Sequence, residues 1–217
     1  MTSHPDFPNL TIVSHPLISH KLTRMRETSC QVPEFRKLAN DISYLMTFPV
    51  TQNLEISTRE IQTPFDKMKA PCLDQLEPIL VPILRAGEGL IGGLIDLMPN
   101  SPIYHVGLYR DKVTHMPQEY LNKLPDKLPE NRKVIVVDPL LATGHSALYT
   151  LNLLLERGVK PQDICLMTIL SVPEGVRLLM ETHPDIRVFT TAIDSHLNEN
   201  AYMVPGIGDA GDRIYGT

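Results

Sequence analysis

The chemistry of this chain is concentrated where an apolar run ends on an acid. Residues 134–147 read VIVVDPLLATGHSA, so Asp138 closes the run and a small polar loop leads to Ser146. Leucines at helical spacing follow, which predicts a helix that begins near Ser146. The first amide groups of a helix have no partner within it, and with the helix dipole they favour a bound anion. The loop is therefore suited to hold a phosphate group.

Side chains of the same loop fit a phosphorylated sugar. Gly144 allows the backbone to approach a ligand closely, and the hydroxyl groups of Thr143 and Ser146 can donate further hydrogen bonds. Asp138 would repel a phosphate at close range, but it can accept hydrogen bonds from sugar hydroxyl groups farther away. This combination predicts a ribose 5-phosphate site. An ordinary strand–helix turn with Ser146 as the N-cap also fits the pattern.

A serine hydrolase is the competing chemical interpretation of this loop. GHSAL (144–148) is close to the G-x-S-x-G nucleophile elbow, and Asp194 and His196 follow in the order that such enzymes use. Leu148 stands where the sharp elbow needs a small residue, which counts against this interpretation. A P-loop is excluded because no G-K-[ST] is present.

Two arginines follow other apolar runs. Arg85 comes directly after VPIL (81–84) on a glycine-containing turn, and Arg110 ends VGLYR (106–110). If the two runs are neighbouring strands, both cations lie at the same edge of the sheet. Together they could neutralise a pyrophosphate leaving group, and positioned charge of this kind can supply orders of magnitude in rate.

Apolar runs and helical segments alternate along most of the chain. This alternation predicts a mainly parallel, five-stranded sheet covered by helices on both faces, with ligands beyond the carboxyl ends of its strands. The predicted strands cover residues 78–84, 102–109, 133–138, 164–170 and 185–194. Residues 1–10 are expected to form a loose tail. The polar, proline-containing stretch 110–132 is expected to form a flexible active-site loop.

Composition narrows the possible partners. The 217 residues suit one domain, 1–217, and a net charge of −5 without a basic run argues against nucleic acid as a ligand. No signal peptide or membrane-length apolar run is found, so we expect a cytoplasmic protein without membrane contact. Three widely spaced cysteines, Cys30, Cys72 and Cys165, are expected to be buried free thiols in a reducing compartment. The histidines show no metal-binding spacing, so no metal site made of protein ligands alone is predicted.

Four motifs, taken together, resemble a known family. VIVVDPLLATGHSA resembles the phosphoribosyl-diphosphate loop of type I phosphoribosyltransferases, in the form found in uracil phosphoribosyltransferases. VPILRAGEG and VGLYR resemble the family's pyrophosphate segments, and NENAYMVPGIGDAGDRIYGT (198–217) resembles its terminal signature. The resemblance implies an α/β type I phosphoribosyltransferase fold with a small hood from the terminal segments and a β-arm. It also implies pyrimidine salvage, in which uracil and 5-phospho-α-D-ribose 1-diphosphate (phosphoribosyl diphosphate) give UMP and diphosphate.

The resemblance also assigns site residues. Catalysis would fall to Arg85, Arg110 and Asp209, and uracil would contact Met203, Gly208, Asp209 and Ala210, largely through main-chain atoms. Phosphoribosyl diphosphate would contact the three catalytic residues together with Asp138, Pro139, Leu140, Leu141, Ala142, Thr143, Gly144, His145 and Ser146. The implied cofactor is Mg²⁺, bound mainly through the substrate's diphosphate. The implied assembly is a homodimer or a larger homo-oligomer.

The chain departs from the family pattern at Pro49 and His196, where a Glu and a Gly are usual, and at two residues of the substrate segments. Glu88 brings a carboxylate into the pyrophosphate segment, where it would weaken diphosphate binding unless it turns away. His145 replaces a glycine, which would add strain if that position needs a positive φ. A non-catalytic homologue that senses phosphoribosyl diphosphate or UMP is therefore the alternative within this fold.

Overall fold

Strands and helices alternate in the computed structural model, which describes residues 2–73, 77–111 and 116–217. The strands are β1 (Thr2–His4), β2 (Phe7–Ile12), β3 (Ser57–Gln62), β4 (Lys67–Cys72), β5 (Ile79–Leu84), β6 (Val106–Arg110), β7 (Pro117–Asn122), β8 (Val134–Val137), β9 (Leu140–Leu141), β10 (Ile164–Met167), β11 (Leu170–Ser171), β12 (Arg187–Thr190), β13 (Ala192–Ile193), β14 (His196–Leu197) and β15 (Met203–Val204). The α-helices are α1 (Pro16–Arg26), α2 (Val32–Thr51), α3 (Ile91–Leu97), α4 (His145–Glu156), α5 (Pro173–Thr182) and α6 (Ala210–Tyr215). Short 3₁₀ helices cover Ala86–Leu90 and Pro161–Asp163.

The central sheet runs in the order β1-β2-β12-β10-β8-β5-β6-β7. Pairings from β2 to β6 in this order are parallel, and the edge strands β1 and β7 are antiparallel. All four residues of β8 are buried, and they alternate between the two hydrophobic cores. One core contains side chains of α1, α2, α3 and α6, and the other contains side chains of α4 and α5. This two-sided burial explains why the strand has a continuous apolar sequence.

The five predicted strands are confirmed as β5, β6, β8, β10 and β12, but the expectation of a loose tail at residues 1–10 is wrong. These residues include β1 and most of β2, and β2 adds a sixth parallel strand through Leu10, which is paired with Val188. Only Leu10 is buried within β2. One buried position among polar residues and a proline leaves no apolar run to recognise.

The stretch 110–132 is partly ordered as a strand. β7 pairs with β6 with a register shift between Gly107 and Leu108, and Leu124 and Leu128 pack into the core. Prolines at the start of the strand and after it made the segment resemble a loop. Residues 112–115 lie outside the described part of the chain, and closure of this segment over a ligand stays a prediction.

A second, three-stranded sheet continues the central one at its carboxyl edge. The strands β8, β10 and β12 are each interrupted for one or two residues and then continue as β9, β11 and β13, which pair in parallel. The interruption after β8 contains Asp138 and Pro139. The chain therefore leaves the main sheet where parallel α/β sheets bind ligands.

The terminal segments pack against each other, as expected for a hood. The Arg213 guanidinium in α6 donates hydrogen bonds to the carbonyl oxygens of Glu27 (2.9 Å) and Cys30 (3.1 Å) in the turn between α1 and α2. It also stacks 4.4 Å from the ring centroid of Phe35 in α2. No helix within the described residues is both long and apolar enough to cross a membrane.

The β-arm is the hairpin of β3 and β4, and it exposes apolar side chains. Phe65 at its turn is 97% exposed, and Ile56, Met68 and Leu73 are also exposed. Cys72 at the end of β4 is half-buried, so the expectation of three buried thiols holds only for Cys30 and Cys165. Burial raises the pKa of Cys165 to about 12 and also raises the pKa of Cys30.

Candidate active site

Two distant parts of the sequence enclose a cavity of about 340 Å³ at the carboxyl edge of the sheet. One wall is formed by the first part of residues 138–146, called here the phosphate loop, and the other by parts of residues 200–211, called the C-terminal loop. The lining residues are Ala86, Asp138, Pro139, Leu140, Ala142, Asn200, Ala201, Tyr202, Met203, Gly208, Asp209, Ala210 and Gly211. A larger cleft of about 670 Å³ between the β1–β2 turn and α5 contains none of the predicted site residues.

The phosphate loop is fixed by backbone contacts to its neighbours in the sheet. The carbonyl oxygen of Pro139 accepts hydrogen bonds from the amides of Ile169 (3.0 Å) and Leu170 (3.1 Å). Gly175 at the start of α5 lies so close that a Cβ there would be 2.2 Å from the carbonyl oxygen of Ala142. The loop therefore rests on backbone on both sides, which leaves it little freedom to move.

Helix α4 begins at His145, one residue before the predicted start. The amides of residues 145–147 have no acceptor within the described residues, and the first hydrogen bond of the helix joins the Leu148 amide to the Gly144 carbonyl (2.8 Å). Gly144 has φ 84°, and its side of the loop faces Gly175. The positive φ thus falls on Gly144, and His145 is helical. The strain considered for His145 is absent, and three free amides are available to an anion.

Asp138 is half-buried in the cavity wall directly after β8. Desolvation by the surrounding protein raises the pKa of its carboxyl to about 7, although a hydrogen bond from the Leu140 amide acts in the opposite direction. Near neutral pH this group can therefore exist in either protonation state. In the charged state its oxygens can accept hydrogen bonds from hydroxyl groups of a ligand.

Arg85 lies at the rim of the cavity. Its guanidinium is exposed, 3.7 Å from a carboxylate oxygen of Asp212 and 5.7 Å from the ring centroid of Tyr215. The neighbouring Ala86, and not Arg85, lines the cavity. Arg110 is the last residue of β6, where its backbone faces Pro117 of β7, and its side chain lies outside what the structure describes. The backbone places both residues at strand ends, as predicted, and their roles stay predictions.

The C-terminal loop presents backbone to the cavity. Met203 is buried in β15, which pairs with β14, and the peptide bond between Val204 and Pro205 is cis. Gly208 has φ 76°, a backbone conformation that other residues rarely adopt, and an added Cβ would lie 3.3 Å from the Arg213 side chain. Asp209 caps α6 by accepting a hydrogen bond from the Asp212 amide at 3.0 Å. The cavity is therefore lined on this side by Met203, Gly208 and Ala210, which carry no polar side chain, so a polar ligand could be recognised there only by main-chain groups.

Comparisons with known proteins agree with this geometry. The family model of uracil phosphoribosyltransferases matches residues 12–217. The chain belongs to the uracil phosphoribosyltransferase family. The uracil phosphoribosyltransferase of Rhodospirillum centenum is 49% identical over 217 residues, which is 100% of both chains. That of Ralstonia pickettii is 45% identical over 100% of this chain and 99% of its own.

A solved structure shares the fold. A protein from Aquifex aeolicus superimposes with a TM-score of 0.89 at 27% identity, over 96% of this chain and 98% of its own. The predicted type I phosphoribosyltransferase fold, with a mainly parallel sheet between helices, is therefore confirmed. A pentosyltransferase of this family is the enzyme class that the relatives support, ahead of a sensor or a hydrolase.

The structure does not assemble the hydrolase triad. The Asp194 carboxylate is engaged by Arg26 (2.6 and 2.9 Å) and by the amide of Gly206 (2.8 Å). His196 Nδ1 lies 3.0 Å from the hydroxyl of its neighbour Ser195. Ser146 stands at the start of α4, and no described residue contacts its hydroxyl as a base.

Glu88, one of the departures from the uracil phosphoribosyltransferase pattern, has a partner. Its carboxylate lies 3.1 Å from Nε2 of His105, just before β6. Contact with this imidazole directs the carboxylate to a protein group. This arrangement reduces the repulsion that a free acid would exert on a diphosphate.

Sequence reasoning identified eight of the thirteen lining residues and missed five. Ala86 follows the predicted Arg85, and Gly211 follows the predicted Ala210. Asn200, Ala201 and Tyr202 belong to the turn between β14 and β15, which the Asn198 side chain organises by accepting the amides of Asn200 (3.0 Å) and Tyr202 (2.9 Å). The polar run NEN (198–200) was the feature from which this turn could have been predicted. The predicted Leu141, Thr143, Gly144, His145 and Ser146 lie beside the cavity and not in its lining.

The donor set suits a cation carried in by a substrate. No cluster of three or more His, Cys, Asp or Glu able to bind a metal occurs in the described residues. Asp209 Oδ2 has no partner among these residues, and the other oxygen is used as a helix cap. Mg²⁺ is commonly held by one or two carboxylates together with substrate phosphates, so this set fits that mode of binding.

Proposed function

We propose that this chain transfers the phosphoribosyl group of phosphoribosyl diphosphate to uracil, which yields UMP and diphosphate. The supporting observation is the shared cavity, because the phosphate loop that forms one wall leads into the free amides of α4 beside the cavity, and the C-terminal loop forms the other wall. A ribose phosphate and a flat base held against these walls would meet in about 340 Å³. Salvage of a pyrimidine base follows from this reaction.

Each part of the site has a proposed role. The amides of residues 145–147 and the hydroxyl groups of Thr143 and Ser146 bind the 5-phosphate, and Asp138 accepts hydrogen bonds from the ribose hydroxyl groups. Arg85 and Arg110 stabilise the departing diphosphate. Backbone groups of Met203, Gly208 and Ala210 bind the uracil edge.

The bond between C1 of ribose and the diphosphate oxygen breaks, and the electron pair leaves with diphosphate. Positive charge develops at C1, and N1 of uracil forms the new bond from the opposite face and loses its proton to solvent. Hydrogen bonds to the uracil carbonyl groups stabilise the nitrogen as this proton leaves. Holding both reactants in one cavity removes most of the entropy cost of bringing them together.

Asp209 is proposed to contact a magnesium ion bound to the diphosphate. A bound Mg²⁺ would neutralise charge on the leaving group. The proposal predicts that UMP formation requires a divalent cation and that Asp209→Asn raises the Mg²⁺ concentration needed for half-maximal rate. An unchanged Mg²⁺ requirement would remove Asp209 from this role.

The experiment that tests the reaction is incubation with labelled uracil, phosphoribosyl diphosphate and Mg²⁺. UMP that forms only when all three are present supports the proposal. Binding of phosphoribosyl diphosphate without UMP would favour the sensing homologue. Labelling of Ser146 by a fluorophosphonate would instead support the hydrolase.

We further propose that the β-arm joins two copies of the chain. Phe65, Ile56 and Met68 expose apolar surface on a hairpin that projects from the sheet, and burial against a second copy would remove this surface from water. Light scattering should show a dimer or larger assembly that Phe65→Ser weakens. We also place the protein in the cytoplasm, because both the sugar diphosphate and UMP are highly charged and do not cross bilayers unaided.

A further inference from the structure

We propose that Arg26 and Asp194 form a positioning pair that sets the affinity for the base and not for the sugar diphosphate. The inference rests on the proposed function, since it assigns base recognition to the C-terminal loop. Neither residue lines the cavity, and neither would touch a reactant. They act through Gly206, which lies between Met203 and Gly208 in the loop.

Asp194 receives three hydrogen bonds in a buried place. Arg26 donates to both of its carboxylate oxygens, at 2.6 and 2.9 Å, and the Gly206 amide donates at 2.8 Å. The Asp194 side chain is only 3% exposed, and that of Arg26 is 26% exposed. A planar guanidinium bound to both oxygens fixes the orientation of the carboxylate, and so the direction of the amide that it accepts.

Arg26 also contacts the loop directly. Its Nη1 donates to the carbonyl oxygen of Gly206 at 2.8 Å, so the N–H of Gly206 is bound by Asp194 and its C=O by Arg26. Gly206 has φ 68°, and an added Cβ would be 2.3 Å from the carbonyl oxygen of Met203. Fixing Gly206 at both polar groups therefore fixes the backbone that leads from Met203 to Gly208.

A second guanidinium holds the next residue from the same side. Arg213 donates to the carbonyl oxygen of Ile207 at 2.9 Å and to the carbonyl oxygen of Glu27 at 2.9 Å, next to Arg26. The turn between α1 and α2 thus supports the C-terminal loop from outside the cavity. Recognition by main-chain groups depends on such support, because no side-chain rotamer can compensate for a displaced backbone.

The phosphate loop has separate support. Its contacts are made to residues 169–172 and to α5, and the side chains of Arg26 and Asp194 are hydrogen-bonded to neither. Asp194 meets β11 through its backbone amide, which donates to the Ser171 carbonyl oxygen at 2.8 Å and which a side-chain substitution retains. Loss of the pair should therefore lower the affinity for the base and leave the affinity for the sugar diphosphate unchanged. A pair that serves only stability would affect both substrates alike.

The test compares Arg26→Gln, Arg26→Lys and Asp194→Asn with two control pairs. Arg24→Gln removes an exposed ion pair (Arg24 to Glu34, 2.7 Å) from the same helix. Asp163→Asn removes a mostly buried ion pair (Lys133 to Asp163, 2.6 Å) far from the C-terminal loop. The second control removes an ion pair of similar burial to that of Arg26 and Asp194 and leaves the C-terminal loop unchanged.

The expected result is a rise of about tenfold or more in KM for uracil in Arg26→Gln and Asp194→Asn, as follows from a lost hydrogen bond to a charged group. The dissociation constant of phosphoribosyl diphosphate should stay within about twofold, as in the controls. Arg26→Lys keeps the charge but cannot bind both carboxylate oxygens with one planar group, so its KM for uracil should lie between those of the wild type and Arg26→Gln. Equal losses for both substrates, or a KM for uracil like that of Asp163→Asn, would overturn the inference.

Hydrogen exchange tests the pair without catalysis. In Arg26→Gln, amides of residues 203–208 should exchange faster, and amides of residues 138–146 should not. Unchanged exchange at 203–208 would overturn the positioning role even if the variant has a lower melting temperature. If the wild-type chain makes no UMP while exchange responds as expected, the proposed function fails and the support of the loop stands.

Discussion

The phosphate loop and the C-terminal loop form one cavity but are held in different ways. The phosphate loop is fixed by its sheet neighbours, through the Pro139 carbonyl and the close contact of Gly175 with Ala142. The C-terminal loop is fixed by guanidinium groups from Arg26, which precedes Gly206 by 180 residues, and from Arg213. The first kind of support is backbone, and the second is charged side chains.

This difference follows from what each loop is proposed to bind. A phosphate oxygen accepts a hydrogen bond from any amide that points to it, so a helix start and a glycine turn are sufficient to bind it. The edge of a base requires donors and acceptors in a fixed order. Between β15 and α6 the C-terminal loop has no regular secondary structure, so it can keep that order there only if other groups hold its polar atoms, which Arg26 and Asp194 do for Gly206.

The largest expected effect comes from a group that belongs to neither loop. Arg110→Ala should lower kcat by roughly 100- to 1,000-fold, because removal of a group that stabilises transition-state charge has effects of this size. The melting temperature should change little, as in the exposed control Arg177→Ala on α5. Steady-state kinetics with both substrates measure this effect. An unchanged kcat would show that the two loops suffice without this cation.

The backbone support of the phosphate loop can be broken at Gly175. Gly175→Ala places a Cβ 2.2 Å from the Ala142 carbonyl oxygen, and neither backbone can yield without moving the loop. Overpacking costs about 1–3 kcal/mol, so affinity for phosphoribosyl diphosphate should fall roughly 10- to 100-fold. Calorimetric titration measures the affinity.

Gly158→Ala is the matched control for this substitution. Gly158 has a positive φ but open space around it, so its replacement costs stability without reaching the site. If Gly175→Ala instead raised KM for uracil alone, the assignment of the two loops would be reversed.

The protonation state of Asp138 is expected to change the affinity for the sugar diphosphate and not that for the base. Its pKa near 7 implies that the carboxylate accepts ribose hydroxyl groups at pH 8 and is largely protonated at pH 6. Affinity for phosphoribosyl diphosphate should therefore fall by up to about tenfold from pH 8 to pH 6. The same series with Asp138→Asn corrects for titration of the ligand, and an identical pH dependence in both proteins would contradict the prediction.

The same pKa makes a prediction for stability. A carboxyl whose pKa is raised by folding contributes most to the free energy of unfolding below its unfolded pKa of 3.8. This contribution is lost as the pH rises through the folded pKa of about 7. Asp138→Asn should consequently be more stable than the wild type at pH 8, by at most about 4 kcal/mol. Urea unfolding at pH 5 and pH 8 measures the difference, which should shrink at the lower pH.

The smallest effect is expected at His145. Because His145 is helical and the positive φ belongs to Gly144, His145→Gly relieves no strain. It should lower the free energy of unfolding by about 0.5 kcal/mol, since glycine disfavours a helix. Thermal unfolding measures this change. A more stable variant would show that the position does need a glycine.

The sequence predicted the phosphate loop better than the C-terminal loop, because the first is defined by neighbouring residues and the second by contacts between distant ones. Asp138 and Gly144 are local features of a strand, a turn and a helix, and adjacent letters reveal them. The contact between Arg26 and Asp194 joins residues 168 apart, and no spacing rule connects them. In the fold, β8 was evident from four consecutive apolar residues, all of which are buried. β2 buries only Leu10, so its sequence has no apolar pattern to detect.

The unequal burial of the three thiols has a practical consequence. The thiolate is the form that reacts, and burial raises the pKa of both Cys30 and Cys165. Cys72, half-buried at the end of the β-arm, is then the position that a maleimide dye should modify first. A fluorophore could be attached to the arm without mutagenesis, and energy transfer between labelled chains would report association in real time.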